Sequence, residues 1–217
     1  MIRVAPIVEG HGEVQAVRTL LQRIGVQLLG GAHVEVLPPF RCRRSNMVQS
    51  GGELERAIRL ASLKLRESAS DPGASLILVL LDADDDLPCR LGPELLRKAQ
   101  PSGAPYDVSC VVANVEYETW FVASAESLGD HLSAAREQIP GAPEQARAGK
   151  AWIERFFRGP KYSETVDQPR MTAAMDLALC RSRSPSFDKL CRELAGRLKP
   201  GGAPPMAPAS RMERNRS

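Results

Sequence analysis

Acidic side chains are concentrated directly after one apolar run of the sequence. Leu76 to Leu81 are consecutive apolar residues, a run too short to cross a membrane but suited to a strand that is covered on both faces. Several anions at one strand end repel each other unless a cation, commonly Mg²⁺ or Mn²⁺, lies between them. Aspartates are also frequent in turns and helix caps, so metal binding and capping are equally open for this stretch. The four carboxylates concerned are Asp82, Asp84, Asp85 and Asp86.

The first predicted strand and the turn after it supply two more acids. Glu9 follows the predicted strand Ile2 to Val8, where an acid beside buried residues is costly unless it is solvated or paired. Glu13 lies in the first turn of the next predicted helix, where the helix dipole also favours an acid. The turn Gly10-His11-Gly12 is predicted to bend sharply because of its two glycines. His11 is either a contact for a substrate phosphate or an ordinary turn residue.

A third pair of acids, Glu116 and Glu118, follows the predicted strand Asp107 to Ala113, and the sequence leaves open which of them faces inward. Strands that alternate with helices predict a parallel sheet with right-handed crossovers. Ligands bind beyond the carboxyl ends of such strands, and alternation along an extended chain directs Asp82 and Asp84 to the same side. We therefore expect acids from three strand ends to share one or two divalent ions, which can activate a water in phosphodiester cleavage.

The elements that position these acids are predicted from periodicity and capping residues. A further short strand is expected at Val34 to Leu37, and loops are expected at residues 70–75 and 140–149. This order of elements predicts an α/β core over residues 1–123, a helical extension over 124–198 and a disordered tail over 199–217. The predicted helices run from Val14 to a stop at Gly25, from Glu53 to Glu67, from Glu94 to about Ala99 after Pro93, from Val115 onward, from Ser127 to Ile139, from Lys150 to Phe157, from Met171 to Leu179, and from Pro185 to Leu198 after the N-cap Ser184.

Composition limits the class of protein. The chain has 217 residues with a net charge of only +3, so any surface for nucleic acid must be local. The clustered Arg41, Arg43 and Arg44 are candidates for holding a nucleic-acid backbone, and a solvated loop is an equal alternative. No apolar run approaches the length of a membrane span and no leader is recognised, which predicts a cytoplasmic protein. The 5 cysteines include no Cys-x-x-Cys pair, which argues against a zinc cage and a disulfide framework.

The acidic motifs resemble those of a known domain. The order Val8-Glu9-Gly10-x-Gly-Glu13, followed by an apolar strand that ends in Asp82-x-Asp84, is similar to the Toprim domain of type IA topoisomerases, primases and overcoming-lysogenization-defect (OLD) nucleases. With Glu116 to Phe121, Lys161-Tyr162 and Ser184-Pro-Ser-Phe187, the chain resembles more closely a Toprim-like family of unknown function, found beside ATPases in bacterial anti-phage loci. The resemblance covers residues 1 to about 198. It implies a Toprim-like parallel four-stranded sheet with flanking helices and a C-terminal helical extension.

The resemblance also implies a role for each matching residue. Glu9 corresponds to the Toprim glutamate that binds metal or acts as a general base. Lys161 is either the cation that balances transition-state charge or a solvated surface lysine. Asp85 and Asp86 are not part of the Toprim pattern. The other implied ligands of Mg²⁺ or Mn²⁺ are the Toprim aspartate pair, the second acid of the nuclease branch and a further acid after the last strand, namely Asp82 and Asp84, Glu13, and one of Glu116 and Glu118.

Three functions are compatible with these residues. The leading one is a Mg²⁺-dependent nuclease that cleaves DNA or RNA as the effector of an anti-phage system; no tyrosine has the context of a topoisomerase nucleophile. A phosphatase with an Asp-x-Asp nucleophile ranks low, because that motif usually follows the first strand and continues with Thr or Val. The non-catalytic alternative is a Mg²⁺-binding regulatory subunit with an ABC- or SMC-like ATPase as its partner. The sequence leaves a homo-oligomer open.

Overall fold

Parallel strands form the sheet at the centre of the computed structural model, which describes residues 1–49, 52–68 and 71–198. In chain order the strands are β1 (Ile2–Val8), β2 (Val34–Val36), β3 (Phe40–Arg41), β4 (Ser75–Asp82) and β5 (Asp107–Ala113). Their order across the sheet is β2-β1-β4-β5, and the short β3 also pairs with β1. The four-stranded parallel α/β sheet is therefore confirmed, with β3 added where the sequence predicts a loop. The predicted tail, 199–217, lies outside the described residues.

The central strand is buried on both faces, as its uninterrupted apolar run predicts. Along β4, the even-numbered residues from Leu76 to Leu80 belong to one apolar cluster, and the odd-numbered residues from Ile77 to Leu81 belong to another. This alternation places helices on both sides of the sheet. The strands are parallel, so all their carboxyl ends lie at one edge, which is where the predicted acids follow.

Helices cover each face of the sheet. The helices α3 and α4 pack on one face, while α1 and the helices from α5 onward pack on the other. On the second face, apolar residues from the predicted α/β core (1–123) and from the predicted helical extension (124–198) belong to one cluster. None of the helices in the described ranges has the length and apolar character needed to cross a membrane. Their bounds are α1 (His11–Leu28), α2 (Arg44–Val48), α3 (Glu53–Glu67), α4 (Pro88–Gly103), α5 (Glu118–Ala123), α6 (Lys150–Phe156), α7 (Asp167–Ala174), α8 (Leu177–Arg183) and α9 (Pro185–Ala195).

Two predicted helix boundaries in the core are wrong. The prediction ends the first helix at Gly25, but α1 continues to Leu28. Gly25 instead permits close packing, because a Cβ there would overlap the backbone oxygen of Ala32. The helix predicted after Pro93 begins earlier, at Pro88, which occupies the first-turn position that proline tolerates.

Two predicted helices in the C-terminal part also differ. Residues 127–139 form no α-helix but short 3₁₀ turns, and Leu132 pairs with Phe157 in an antiparallel bridge. Tertiary pairing, and not a helical face, therefore buries the apolar residues of this segment. The helix predicted over residues 171–179 is divided into α7 and α8, because the Asp176 side chain caps α8 with a 2.9 Å hydrogen bond.

Candidate metal centre

The carboxyl ends of β1 and β4 bring two predicted acids together. Val8 is paired with Leu80, so Glu9 lies at the level of the last residues of β4. Oε2 of Glu9 is 3.5 Å from the backbone nitrogen of Asp82, which lies 73 residues away in sequence. Oδ1 of Asp82 accepts a 2.8 Å hydrogen bond from the backbone amide of Tyr117, in the segment that follows β5. Three strand ends therefore contribute to one site.

These acids lie in an anionic and partly desolvated environment. Burial raises the pKa of Asp82 well above its ordinary value, and three neighbouring carboxylates raise it further, those of Glu13, Glu118 and Glu9. Burial also raises the pKa of Glu9, although the hydrogen bond from the Asp82 amide opposes this shift. The nearby charge of Asp84 adds to the rise at Glu9. Acids that repel one another in this way are stabilised by a cation placed among them.

Glu118 faces this anionic site, whereas Glu116 faces the neighbouring helix. Glu118 is only 4% exposed, accepts a 2.8 Å hydrogen bond from the Tyr162 hydroxyl, and has its pKa raised to about 7, chiefly by burial. Glu116 instead accepts a 2.6 Å hydrogen bond from the Lys150 amide at the first residue of α6. Gly149 leaves room for this contact, because a Cβ there would overlap the Glu116 carboxylate.

Glu13 is held against the first turn of its own helix. Burial raises the pKa of its carboxylate, and the neighbouring Gly10 amide and Gln168 side chain oppose this rise. The two glycines provide space for these contacts: a Cβ at Gly10 or Gly12 would overlap the Glu13 carboxylate or the Gln168 amide. The chain bends at Glu9 and Gly10, as predicted, but Gly10 does so with a negative φ of −102° and α1 begins directly after it at His11.

Asp84 departs from the extended chain that the sequence prediction assumes. Asp84 has φ 50°, and β4 already ends at Asp82, so strand alternation does not set the direction of its side chain. Its amide donates a 2.8 Å hydrogen bond to the Val115 carbonyl, and its carbonyl accepts one of 3.1 Å from Arg147. Among the described non-glycine residues, only Asp84, Val115 and Arg147 have positive φ. Such strain, about 1–3 kcal/mol per residue, clusters at functional sites.

Two arginines neutralise the acids that follow β4. Arg44, the first residue of α2, pairs with Asp84 at 3.3 Å and with Asp86, and donates hydrogen bonds to two backbone carbonyls at the end of β4. Arg147 pairs with Asp85 at 2.9 Å. No side chain caps the start of α4. Asp85 and Asp86 are therefore bound by arginines and do not cap this helix. Arg44 thus belongs to the acidic site and not to an exposed basic loop.

The other predicted residues lie on the surface. His11, Arg41, Arg43 and Lys161 are all exposed. In the part of the chain that the structure describes, no hydrogen bond or ion pair joins their side chains to the acids. Lys161 lines a shallow groove of about 260 Å³. The roles predicted for these four residues remain predictions.

Residues from α6, α7 and the turn between them complete the surroundings of the acids, and sequence reasoning missed most of them. Lys150 pairs with Glu164 at 2.6 Å, and the Glu164 charge acts on both Glu13 and Glu118. Gln168 is buried, and its Oε1 has no hydrogen-bond partner within the described segments. Neither Lys150 nor Glu164 stands out in sequence, because each lies in an ordinary polar position of a predicted helix or loop.

A buried glutamate in the loop before α6 fixes this loop over the strand ends. Glu144 accepts hydrogen bonds from the Ser184 hydroxyl at 2.5 Å and from the Ser186 hydroxyl and amide at 2.6 and 3.0 Å. Asn114, directly after β5, donates a fourth at 3.2 Å. The Ser-Pro-Ser motif at 184–186 stands out in the sequence, but nothing in the sequence indicates that Glu144 is its partner.

The carboxylate oxygens suit a hard divalent cation, but they are not arranged as a preformed metal site. Among residues 1–49, 52–68 and 71–198, no three His, Cys, Asp or Glu side chains are gathered as a ready-made metal site. Glu13 is engaged with its own helix and Asp84 with Arg44. Carboxylate oxygens favour Mg²⁺ or Mn²⁺, whereas thiolate and imidazole ligands favour zinc. Binding of such an ion would therefore require Asp84 to exchange Arg44 for the metal.

The fold and the site define a parallel α/β protein with acids at the carboxyl ends of its strands. The chain belongs to the DUF4276 family, described as a domain of unknown function, whose model matches residues 8–195. None of the curated proteins compared with the chain matches it. Among solved structures, it is similar to the C-terminal region of the Burkholderia pseudomallei OLD protein, with 16% identity over 90% of this chain and 95% of that chain and a TM-score of 0.38. A similarity at that TM-score carries no argument about function.

Proposed function

We propose that this protein is a metal-dependent phosphodiesterase that cleaves a nucleic acid, as Toprim-type nucleases do. One observation carries the proposal: acids from the ends of β1 and β4 and from the segment after β5 share one desolvated site, where the pKa values of Glu9, Asp82 and Glu118 are all raised. In a phosphodiesterase site, several carboxylates bind a divalent ion, and the ion relieves the repulsion between them. The order of the acidic motifs, similar to that of Toprim domains, supports the same activity.

Glu9, Asp82 and Asp84 are proposed to hold the ion, with Glu13 and Glu118 as further carboxylates of the same site. The bound ion would supply a polarised water and stabilisation of phosphate charge. The alternative role of Glu9 is that of a general base: if it does not bind the ion itself, its raised pKa makes it a stronger base than an exposed glutamate.

Arginine and lysine side chains around the acids are proposed to hold the phosphate. Arg44 would be released from Asp84 when that carboxylate binds the ion, and its guanidinium suits a phosphate oxygen. Lys161 remains a candidate for balancing transition-state charge. Lys150 is a second candidate, because it interacts electrostatically with Glu118. Arg44 and Lys150 thus place positive charges next to the acids, where they would stabilise the negative charge that develops on the phosphate in the transition state.

The proposal is tested by incubating the purified 217-residue chain with Mn²⁺ or Mg²⁺ and plasmid, single-stranded DNA or tRNA. Glu9→Gln and Asp84→Asn should each lower cleavage by about 100-fold or more, because losing even an outer partner of a metal ligand costs about 10–100-fold. Glu94→Gln is the control, because its exposed carboxylate lies on α4 and pairs only with Lys98. Retained cleavage in Asp84→Asn would remove Asp84 from the mechanism.

Thermal unfolding with and without Mn²⁺ separates catalysis from binding. If no nucleic acid is cleaved, alone or with the neighbouring ATPase, but Mn²⁺ raises the Tm of wild type and not of Asp84→Asn, the non-catalytic regulatory subunit replaces the nuclease. If Mn²⁺ leaves the wild-type Tm unchanged, the metal centre itself is refuted. An anti-phage role, an ABC- or SMC-like ATPase partner and a cytoplasmic location are proposed only on the resemblance of the sequence.

A further inference from the structure

A groove lined by exposed arginines lies between β3 and α3. Its volume is about 340 Å³, and Arg41, Arg43 and Arg56 line it, with Glu53 as the acid among the lining residues. Within the described ranges, none of the three guanidiniums makes a hydrogen bond or an ion pair. Three unpaired guanidiniums against one carboxylate give the groove a positive field that its own residues do not neutralise. A ligand with several negative charges fits this field.

The groove adjoins the acidic site. In the sheet, β3 places Arg41 in register with Val8, the residue before Glu9, and the amide of residue 42 donates a 2.9 Å hydrogen bond to the Val8 carbonyl. At the other side, Arg43 directly precedes Arg44, which pairs with the acids after β4. A chain of phosphates in the groove would therefore continue directly to the proposed metal ligands.

The lining is apolar between the arginines. Phe40 is half-buried and Leu60 is 46% exposed, and both line the groove. Cationic side chains that follow a backbone, combined with an aromatic or apolar surface for bases, are typical of sites for unpaired strands. A duplex keeps the faces of its bases stacked inside and offers only its outer phosphates to such a groove.

We propose that this groove binds single-stranded nucleic acid and leads its backbone to the acidic site. The direction toward the acids rests on the proposed nuclease function, whereas the binding itself does not. Arg41 and Arg43 are then contacts of the strand, Arg56 is a third contact on α3, and Arg44 belongs to the acidic site. The substrate class is a single strand of DNA or RNA.

The proposal is tested by fluorescence anisotropy in EDTA, with a labelled DNA strand of about 15 nucleotides, long enough to cover one site of this kind. The variant R41Q/R43Q/R56Q should bind at least about tenfold more weakly than wild type at low salt. The slope of log affinity against log salt should become less negative by about 2, since each lost phosphate contact on a single strand contributes roughly 0.7.

Arg66→Gln is the matched control, because Arg66 is exposed on the same helix, ten residues and about 15 Å beyond Arg56. It should change the affinity less than about twofold. The same strand annealed to its complement should bind more weakly than the single strand. Unchanged affinity in the triple variant, an equal loss in Arg66→Gln, or equal binding of the duplex would each overturn the proposal.

Two further readouts separate this proposal from the nuclease proposal. If wild type binds the strand through the three arginines but leaves it intact with Mn²⁺, the groove stands and the nuclease fails. If wild type cleaves the strand and the triple variant cleaves it equally fast at low substrate concentration, the groove fails and the nuclease stands. The Mn²⁺-dependent rise in Tm should be the same in wild type and the triple variant, since none of the three arginines contacts the acids.

Discussion

Replacing Glu118 by glutamine should stabilise the metal-free protein at neutral pH and not at acidic pH. Burial and neighbouring carboxylates raise the pKa of Glu118 from 4.5 to about 7. The folded state therefore holds this proton more tightly than the unfolded state, and the free energy of unfolding falls as pH rises between these two values. Below about 4.5 the cost of the buried charge is absent, and above about 7 it is fully present.

The size of the effect follows from the shift. At about 1.36 kcal/mol per pKa unit, ionising Glu118 in the folded protein costs about 3 kcal/mol. Glu118→Gln removes this charge and keeps an oxygen that can accept the Tyr162 hydrogen bond. It also removes one of the charges that raise the pKa of Asp82. The variant should thus be more stable than wild type by about 3 kcal/mol at pH 8, and the difference should vanish near pH 4.5.

Thermal unfolding in EDTA at a series of pH values measures this difference. For a chain of this length, about 3 kcal/mol corresponds to a rise in Tm of roughly 6–12 °C at pH 8. Glu94→Gln on α4 is the control, because its exposed carboxylate forms only a surface pair with Lys98, and it should change stability by less than about 1 kcal/mol at any pH. Saturating Mg²⁺ should stabilise wild type more than the variant and so reduce the difference in Tm between them. An advantage of Glu118→Gln that is the same at pH 4.5 and pH 8 would refute the reasoning.

Two other changes test the packing around the acids. Gly12→Ala should destabilise the fold by about 1–3 kcal/mol in denaturant unfolding, since its Cβ would overlap Gln168; Gly129→Ala, with open space at its Cβ, is the control, and equal stability of the two variants would contradict this packing. Arg147→Gln should leave the Tm within about 2 °C of wild type, because its pair with Asp85 is exposed. It should weaken Mn²⁺ binding several-fold by loosening Asp84, and unchanged Mn²⁺ affinity would exclude this positioning role.

The sequence predicts best those elements whose pattern depends on neighbours along the chain. β1 and β5 have the predicted bounds, and α3 runs from Glu53 to Glu67 as its amphipathic spacing indicates. Each of these segments is long, regular and buried on faces that its own periodicity defines. The Ser184 cap of α9 is also present, with a 3.1 Å hydrogen bond from the Phe187 amide.

The details of the site were not predictable, because distant residues determine them. The positive φ of Asp84 depends on hydrogen bonds to Val115 and Arg147, which lie 31 and 63 residues further along the chain. Glu116 and Glu118 are both acids after one strand, and only the contacts with α6 and with Tyr162 distinguish them. Neither periodicity nor motif spacing records which helix will pack over a strand end.

The C-terminal part of the chain is therefore part of the candidate site as well as a cover for the sheet. Tyr162 binds Glu118, Gln168 lies next to Glu13, and Arg147 binds the backbone of Asp84. Each of these contacts fixes an acid of the α/β core from outside that core. A strand-end acid without such a partner would be free to turn toward solvent, where its charge is better hydrated. The anionic character of the site is thus maintained by the packing of the second half of the chain on the first, and an ion that binds there would stabilise that packing in return.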